Sequence, residues 1–293
     1  MNLCNLCPRA CNIDRSDRLG FCRAPDLPMI ARAAPHFGEE PCITGSRGSG
    51  TVFFSGCNLH CVFCQNHAIS RGKLGSTVTI PRLADIFMQL QDLGVHNINL
   101  VTGSHYARQI ARALELAKLS IPVAWNSSGY DSVDTLRMLE GKIQIYMPDY
   151  KYSDPLLAKT YSAAADYPTV AAAAIEEMYR QTGPYVMDEE GILQRGVLVR
   201  HLILPNRPTN TKGVIDTVSS LLPKGAFLFS LMSQYTPMPH LDDYPELQQR
   251  VSPALGDFCY RYMLKKGIEE GYYQDPESAT DEMIPDFDLT GVE

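Results

Sequence analysis

From residue 51 onward the chain alternates between short β-branched or aromatic apolar runs and longer stretches whose apolar residues recur every three to four positions. Runs of the first kind lie at 51–55, 97–102, 121–125, 143–147, 197–204 and 226–232 and predict strands. The second kind predicts helices over 104–118, 132–139, 167–182, 210–222 and 252–268, the run from Ala171 to Met178 being the plainest. A further helix carries Leu83, Ile86, Phe87, Leu90 and Leu93, with Thr79 placed to cap it, Pro81 near its first turn and Gly94 at its stop. Strands alternating with helices build a parallel sheet with right-handed crossovers. A count of six fits an open, partial β/α barrel better than a closed eight-stranded one.

The flanks read differently. Residues 1–50 are loop-rich and hold Cys4, Cys7, Cys11 and Cys22. Residues 271–293 are acidic, with Asp275, Glu277, Asp281, Glu282, Asp286, Asp288 and Glu293, but their Met283-Ile284-Pro285 and Phe287 predict a strap docked on the barrel. The expected organisation is a cysteine-rich extension (1–50), the barrel (51–270) and a C-terminal tail (271–293), with no interdomain linker. A net charge of −7, from 26 basic and 33 acidic residues, lends no support to a nucleic-acid partner. No run of eighteen apolar residues predicts a membrane span, and Met1-Asn2-Leu3-Cys4 lacks the basic head and apolar core of a signal peptide. With nine cysteines and no export signal, the expectation is a reducing cytoplasm and thiols that serve as metal ligands rather than disulfides.

The first strand hands over to Cys57-Asn58-Leu59-His60-Cys61-Val62-Phe63-Cys64, a Cys-x3-Cys-x2-Cys loop. A [4Fe-4S] cluster is normally held by four thiolates, so three would leave one iron open to a ligand. A zinc site would need a fourth ligand, for which His60 and His67 are candidates. The N-terminal cysteines form a Cys-x2-Cys-x3-Cys-x10-Cys array threaded by Pro8, Arg9, Arg15 and Arg18, in a segment too short and polar to make its own core. Held by metal it would be a small knuckle, with zinc and a second Fe–S cluster both compatible; the other reading is buried or redox-active free thiols. His36, Glu40 and Cys42 follow and either reach a site or support their loop.

In such barrels function gathers at the C-terminal ends of strands. Those ends carry Thr102-Gly103-Ser104-His105, Asn126-Ser127-Ser128-Gly129-Tyr130, Met147-Pro148-Asp149-Tyr150-Lys151, the pair Arg200 and His201, and Ser233-Gln234-Tyr235. Gly103 would let backbone groups approach a ligand. Asp149 and Lys151, two apart, share a face of extended chain. They make either an ordinary salt bridge or a receptor for a zwitterion, the lysine facing a carboxylate and the aspartate an ammonium or cation. His201 is a candidate substrate contact if it is not a satisfied barrel histidine.

The three-cysteine loop, with Phe63 before its last cysteine, resembles the cluster motif of the radical S-adenosylmethionine (SAM) superfamily. Nearly the whole chain resembles the pyruvate formate-lyase activating protein-like subfamily, of the glycyl-radical-activase type. The resemblance is carried by the Cys4 to Cys11 opening, Phe53 through Asn66, Met147 to Lys151, Ser230 to Pro237 and Ile284 to Asp288. It implies a partial (β/α)6 radical SAM barrel, a [4Fe-4S] cluster on Cys57, Cys61 and Cys64, and SAM chelating the open iron. It further implies Asn126, Ser127 and Ser128 near the SAM ribose or a monovalent cation, Asp149 and Lys151 near that cation and the SAM carboxylate, and Phe63 by the adenine. The Gly-Gly-Glu motif that holds the SAM amino group in relatives is absent. Thr102-Gly103-Ser104 stands in its place, with Thr102 and Ser104 as substitutes. The implied activity is reductive SAM cleavage, with reduced ferredoxin or flavodoxin as donor, and hydrogen abstraction from a glycyl-radical enzyme, another protein or peptide, or a small metabolite. The alternatives are an Fe–S electron carrier without SAM chemistry and a zinc-stapled interaction module. Against the carrier stands the polar, pocket-like strand-end chemistry.

Overall fold

The computed structural model describes residues 3–274 and 285–292. Among them the strands are β1 (Met29–His36), β2 (Ser49–Phe54), β3 (Ser76–Thr77), β4 (Ile98–Val101), β5 (Val123–Ser127), β6 (Ile145–Pro148), β7 (Val186–Met187), β8 (Leu193–Leu202), β9 (Leu228–Met232) and β10 (Gly271–Gln274). They form one sheet in the order β10-β9-β8-β6-β5-β4-β2-β1-β3, with β7 paired at the side of β8. The run from β2 to β10 is parallel throughout, β1 is antiparallel to both β2 and β3, and the two ends do not meet. This is the open barrel that the alternating pattern predicts.

Helices fill the crossovers. Ile80–Asp92, Ala107–Leu116, Val133–Met138, Tyr167–Thr182, Pro208–Leu221 and Pro253–Lys265 match the expected periodic stretches to within a few residues. Thr79 caps the first of these, its hydroxyl accepting the Arg82 N–H at 3.3 Å. The apolar faces of the helices pack on the sheet around Phe87, Ile110, Trp125, Tyr146, Ile175 and Phe229, all essentially inaccessible to solvent. Every position of β2 is buried, as both its faces are covered.

Two features change the expected organisation. The sheet takes in residues before 51, because Ile30 to His36 of β1 pair with β2, with a register shift between Ile30 and Arg32. It also gains β10, a seventh parallel strand, in the first residues of the expected tail. An eight-residue helix, Pro155–Ser162, was not marked by periodicity; it starts where the Asp154 carboxylate accepts the Leu156 N–H at 2.8 Å.

Both flanks dock. Over residues 285–292 the tail runs along β1: Leu289 N–H donates to Ala31 at 3.0 Å, Ala33 N–H donates to Thr290 at 2.8 Å, and Asp288 pairs with Arg32 at 2.8 Å. Phe287 meets Phe53 edge to face. Met283 and Ile284 of the expected strap lie outside the described residues, as do Asp275, Glu277, Asp281, Glu282 and Glu293. At the other terminus Arg9 Nε donates to the Asn58 carbonyl at 2.8 Å and its Nη2 to that of Ser162 at 2.9 Å, while Arg15 holds the carbonyls of Ala24, Pro25 and His105. These two arginines fasten the cysteine-rich segment to the barrel.

Candidate active site

The strand ends open on a cleft of about 280 Å³. Its lining brings together Cys57, Cys61, Cys64 and Phe63 from the loop after β2 with Thr102, Asn126, Ser127, Ser128, Asp149 and Lys151 from the next strand ends. Residues more than 90 apart in sequence meet here because each follows a parallel strand of one sheet.

The cysteine loop is built from backbone contacts. Gly56 lies at φ +85°, and a Cβ there would stand 2.7 Å from the Cys22 carbonyl, the group that accepts the Cys57 N–H at 3.2 Å. His60 takes φ +58° before Cys61, a left-handed conformation costing a non-glycine residue of order 1–3 kcal/mol. Val62 N–H donates to Tyr161, and the Ser162 hydroxyl lies 3.1 Å from Cys61 Sγ. Burial pushes the Cys57 thiol up and that of Cys64 up to about 12, with the neighbouring thiols adding to it and Lys151 opposing. Among the described residues no three His, Cys, Asp or Glu side chains close on one point as a single metal ion requires.

Across the cleft Lys151 Nζ lies 2.5 Å from Asp149 Oδ2. Arg200 Nε stands 3.2 Å from Asp149 Oδ1, in ionic contact but without the alignment of a hydrogen bond. Arg200 also binds Glu39 at 3.0 Å and the Asn126 side-chain oxygen at 2.5 Å, and Asn99 and Asn126 both donate to Glu39 at 3.0 Å. Burial, the largest influence on Asp149, works to raise its pKa, but Lys151 and Arg200 outweigh it and hold the carboxyl below the usual range. For Lys151 burial works against the ammonium, yet Asp149, Cys61 and Cys64 keep its pKa above that of a free lysine. Both groups are therefore charged at neutral pH.

The remaining expected residues sort clearly. Thr102 lines the cleft at φ +61°, an outlying conformation for a β-branched residue, with its N–H donating to the Asn126 carbonyl at 2.8 Å. Gly103 and Ser104 do not line it. A Cβ at Gly103 would stand 2.8 Å from Ile110 and 3.0 Å from the Trp125 ring, so that glycine serves helix packing rather than approach to a ligand. Ser127 spends its hydroxyl on Asp131 at 2.5 Å and on the Gly129 N–H at 3.1 Å, shaping the turn. Phe63 meets Tyr152, Tyr161 and Tyr235 edge to face at 6.0–6.4 Å, forming an aromatic wall. His36 and Glu40 line the cleft, whereas Cys42 does not and is buried against Tyr272 in an apolar cluster with Ala124, Ile145 and Leu198. His201 is not a substrate contact. It is fully buried between the Tyr150 carbonyl at 2.7 Å and the Thr211 hydroxyl at 2.9 Å, and burial brings its pKa down to about 4.

Glu39 and Tyr167 were not singled out by sequence reasoning. Glu39 had only its acidic neighbour as a signal. Tyr167 opens a helix, and its hydroxyl accepts the Lys151 N–H at 2.9 Å and faces the carbonyls of Ser128 and Asp149 at 2.8 and 2.9 Å. Beside it Gly129 lies at φ +73°, where a Cβ would stand 2.2 Å from the Asp149 carbonyl. Gly129→Ala is accordingly expected to lose at least about 2 kcal/mol of stability, read by urea unfolding, since the strained conformation and the clash add. A loss under about 0.5 kcal/mol would mean that this turn is not fixed as described.

The family model described as the Radical SAM superfamily matches residues 51–159. This part of the chain resembles a radical SAM domain. It contains the cysteine loop and every strand end through Lys151. An uncharacterized protein of Methanocaldococcus jannaschii is 29% identical over 259 residues, covering 85% of this chain and 70% of its own. Among solved structures, a radical SAM methyltransferase from Sphaerobacter thermophilus is similar at a TM-score of 0.51 and 14% identity, over 76% of this chain and 65% of that one. Streptococcus suis SuiB bound to its precursor peptide SuiA is similar at 0.51 and 13% identity, over 78% of this chain and 49% of that one. This chain thus spans less than two thirds of either solved protein, and the likeness is one of fold. No helix among the described residues is long and apolar enough to cross a membrane.

Proposed function

We propose that the chain is a radical SAM enzyme with Cys57, Cys61 and Cys64 as the ligands of a [4Fe-4S] cluster and the adjoining cleft as its SAM site. The carrying observation is that all three cysteines of a Cys-x3-Cys-x2-Cys loop face one cleft with Asp149, Lys151, Asn126 and Ser128, within the radical SAM domain. When bound, the cluster supplies the electron that splits the C5′–S bond of SAM into methionine and a 5′-deoxyadenosyl radical able to take hydrogen from a substrate.

The residues of the chain bind, orient and shield. Lys151 presents an ammonium to the SAM carboxylate, held in place by Asp149. The Gly-Gly-Glu acid is absent from its usual place, and the carboxylate of Glu39, which lines the cleft and is anchored by Arg200 and two asparagines, is available to the SAM amino group. Asn126 and the turn from Ser127 to Gly129 shape the ribose side. Phe63 and its tyrosine neighbours give an apolar wall for the adenine and keep water from the reacting centre.

A one-electron donor such as reduced ferredoxin or flavodoxin fits this chemistry. The substrate would share this cleft with SAM. Activation of a glycyl-radical enzyme rests on motif resemblance alone, and a peptide, another protein or a small molecule suits the cleft equally. The electron-carrier alternative gives no use to a cleft of this size lined by charged pairs. Anaerobically reconstituted protein, given SAM and a strong reductant, is expected to release 5′-deoxyadenosine, measured by mass spectrometry. A reducible cluster that yields none, with or without candidate substrates, would favour the carrier instead.

A further inference from the structure

The four N-terminal cysteines converge. Cys4, Cys7, Cys11 and Cys22 line one enclosed void of about 10 Å³, together with the fixed arginines Arg9 and Arg15. None of the four is in a disulfide. Four thiols outside any disulfide, Cys7 and Cys22 buried and Cys4 and Cys11 half-buried, are an unfavourable way to fill a segment with so little core of its own.

The backbone is bent to bring them there. Ala10 at φ +40° and Asn12 at φ +50° flank Cys11, and Arg23 at φ +57° follows Cys22. Left-handed alanine and arginine cost of order 1–3 kcal/mol each and persist where something else fixes the geometry. Gly20 passes so close that a Cβ would stand 3.1 Å from Cys11 Sγ. His105, 1% exposed and lining the same void, uses Nε2 on the Ser55 carbonyl at 2.9 Å and leaves Nδ1 without a partner among the described residues.

The void distinguishes between metals. Zinc would draw four sulfurs to about 2.3 Å from one centre, leaving no room for a sphere the size of water between them. Here such a sphere fits among the four cysteines. A cubane fills that kind of space with its own iron and sulfide and takes one thiolate at each iron. Arg9 and Arg15 offset the negative charge that the set would carry.

We propose that Cys4, Cys7, Cys11 and Cys22 hold a second, fully ligated [4Fe-4S] cluster set against the loop that carries the first. Full ligation leaves no open iron, which suits this centre to carrying electrons rather than to binding SAM. The contact between the two loops is direct: the carbonyl of Cys22 accepts the N–H of Cys57, and His105 joins the void to Ser55. The proposal does not depend on the radical SAM reading, since it uses a separate set of ligands.

Metal content separates the two. The full chain, purified and reconstituted anaerobically, is expected to carry about eight irons by mass spectrometry. C57A/C61A/C64A should keep about four, with the electron paramagnetic resonance signal of a reduced cubane after dithionite. The complementary variant C4S/C7S/C11S/C22S should also keep about four; if it does not fold, the first variant and the native count decide. About one zinc in place of iron overturns the proposal, as does a native count of about four irons that falls to none in C57A/C61A/C64A.

Discussion

C57A/C61A/C64A is expected to form no 5′-deoxyadenosine above a protein-free control. The three thiolates are the proposed iron ligands of the loop, and loss of all three removes the site rather than weakening it. Loss of a single outer hydrogen-bond partner of a metal ligand commonly costs about 10–100-fold in affinity or activity, and this change must exceed that range. Misfolding is a limited risk, because the loop is held by backbone contacts: Cys57 N–H to Cys22, Val62 N–H to Tyr161 and the Asn58 amide to the Tyr130 carbonyl at 2.7 Å. Circular dichroism should therefore match the native chain. Substantial 5′-deoxyadenosine from a well-folded variant would remove these cysteines from the reaction and the proposed function with them.

Periodicity placed the six central strands and most of the helices because parallel strands buried on both faces are continuous apolar runs and amphipathic helices repeat every three to four residues. The cysteine loop was legible for a different reason: its three cysteines are local in sequence. β1 was not, since Met29-Ile30-Ala31-Arg32-Ala33-Ala34-Pro35-His36 is rich in alanine and carries a proline and an arginine. It becomes a strand through pairing with β2 and β3 and through the tail laid along it, all of which are long-range. The Glu39, Asn126 and Arg200 network is hidden for the same reason, as Glu39 and Arg200 lie 161 residues apart. Gly103 and His201 show the opposite failure. Both sit at strand ends where function gathers, yet one faces Trp125 and the other the Tyr150 carbonyl. Position along a strand gives depth in the barrel and leaves open which way a side chain turns.

Asp149 and Lys151 should part company when each is replaced. Asp149→Ala leaves Lys151 and Arg200 as two mostly buried cations that have lost their shared carboxylate, and breaking a buried pair in this way costs about 3–5 kcal/mol. Lys151→Ala leaves Asp149 still in contact with Arg200, so its stability loss should be smaller. The pH dependence follows from the depressed pKa of Asp149. Its contribution is present above the unfolded carboxyl pKa and is lost as pH falls through the lower folded value. Urea unfolding of native protein should therefore show stability falling in acid, with Asp149→Ala already low at pH 7 and flatter below it. In binding the order reverses. With Lys151 in its proposed role, Lys151→Ala is expected to remove one charge-assisted hydrogen bond to the SAM carboxylate, about 1.5–3 kcal/mol or roughly 10–150-fold in Kd, while iron content stays unchanged. Calorimetry with SAM under anaerobic conditions reads this directly. Native-like affinity in Lys151→Ala would leave the lysine as a structural partner of Asp149, and the carboxylate of SAM would then have to meet Arg200, the other cation of the cleft.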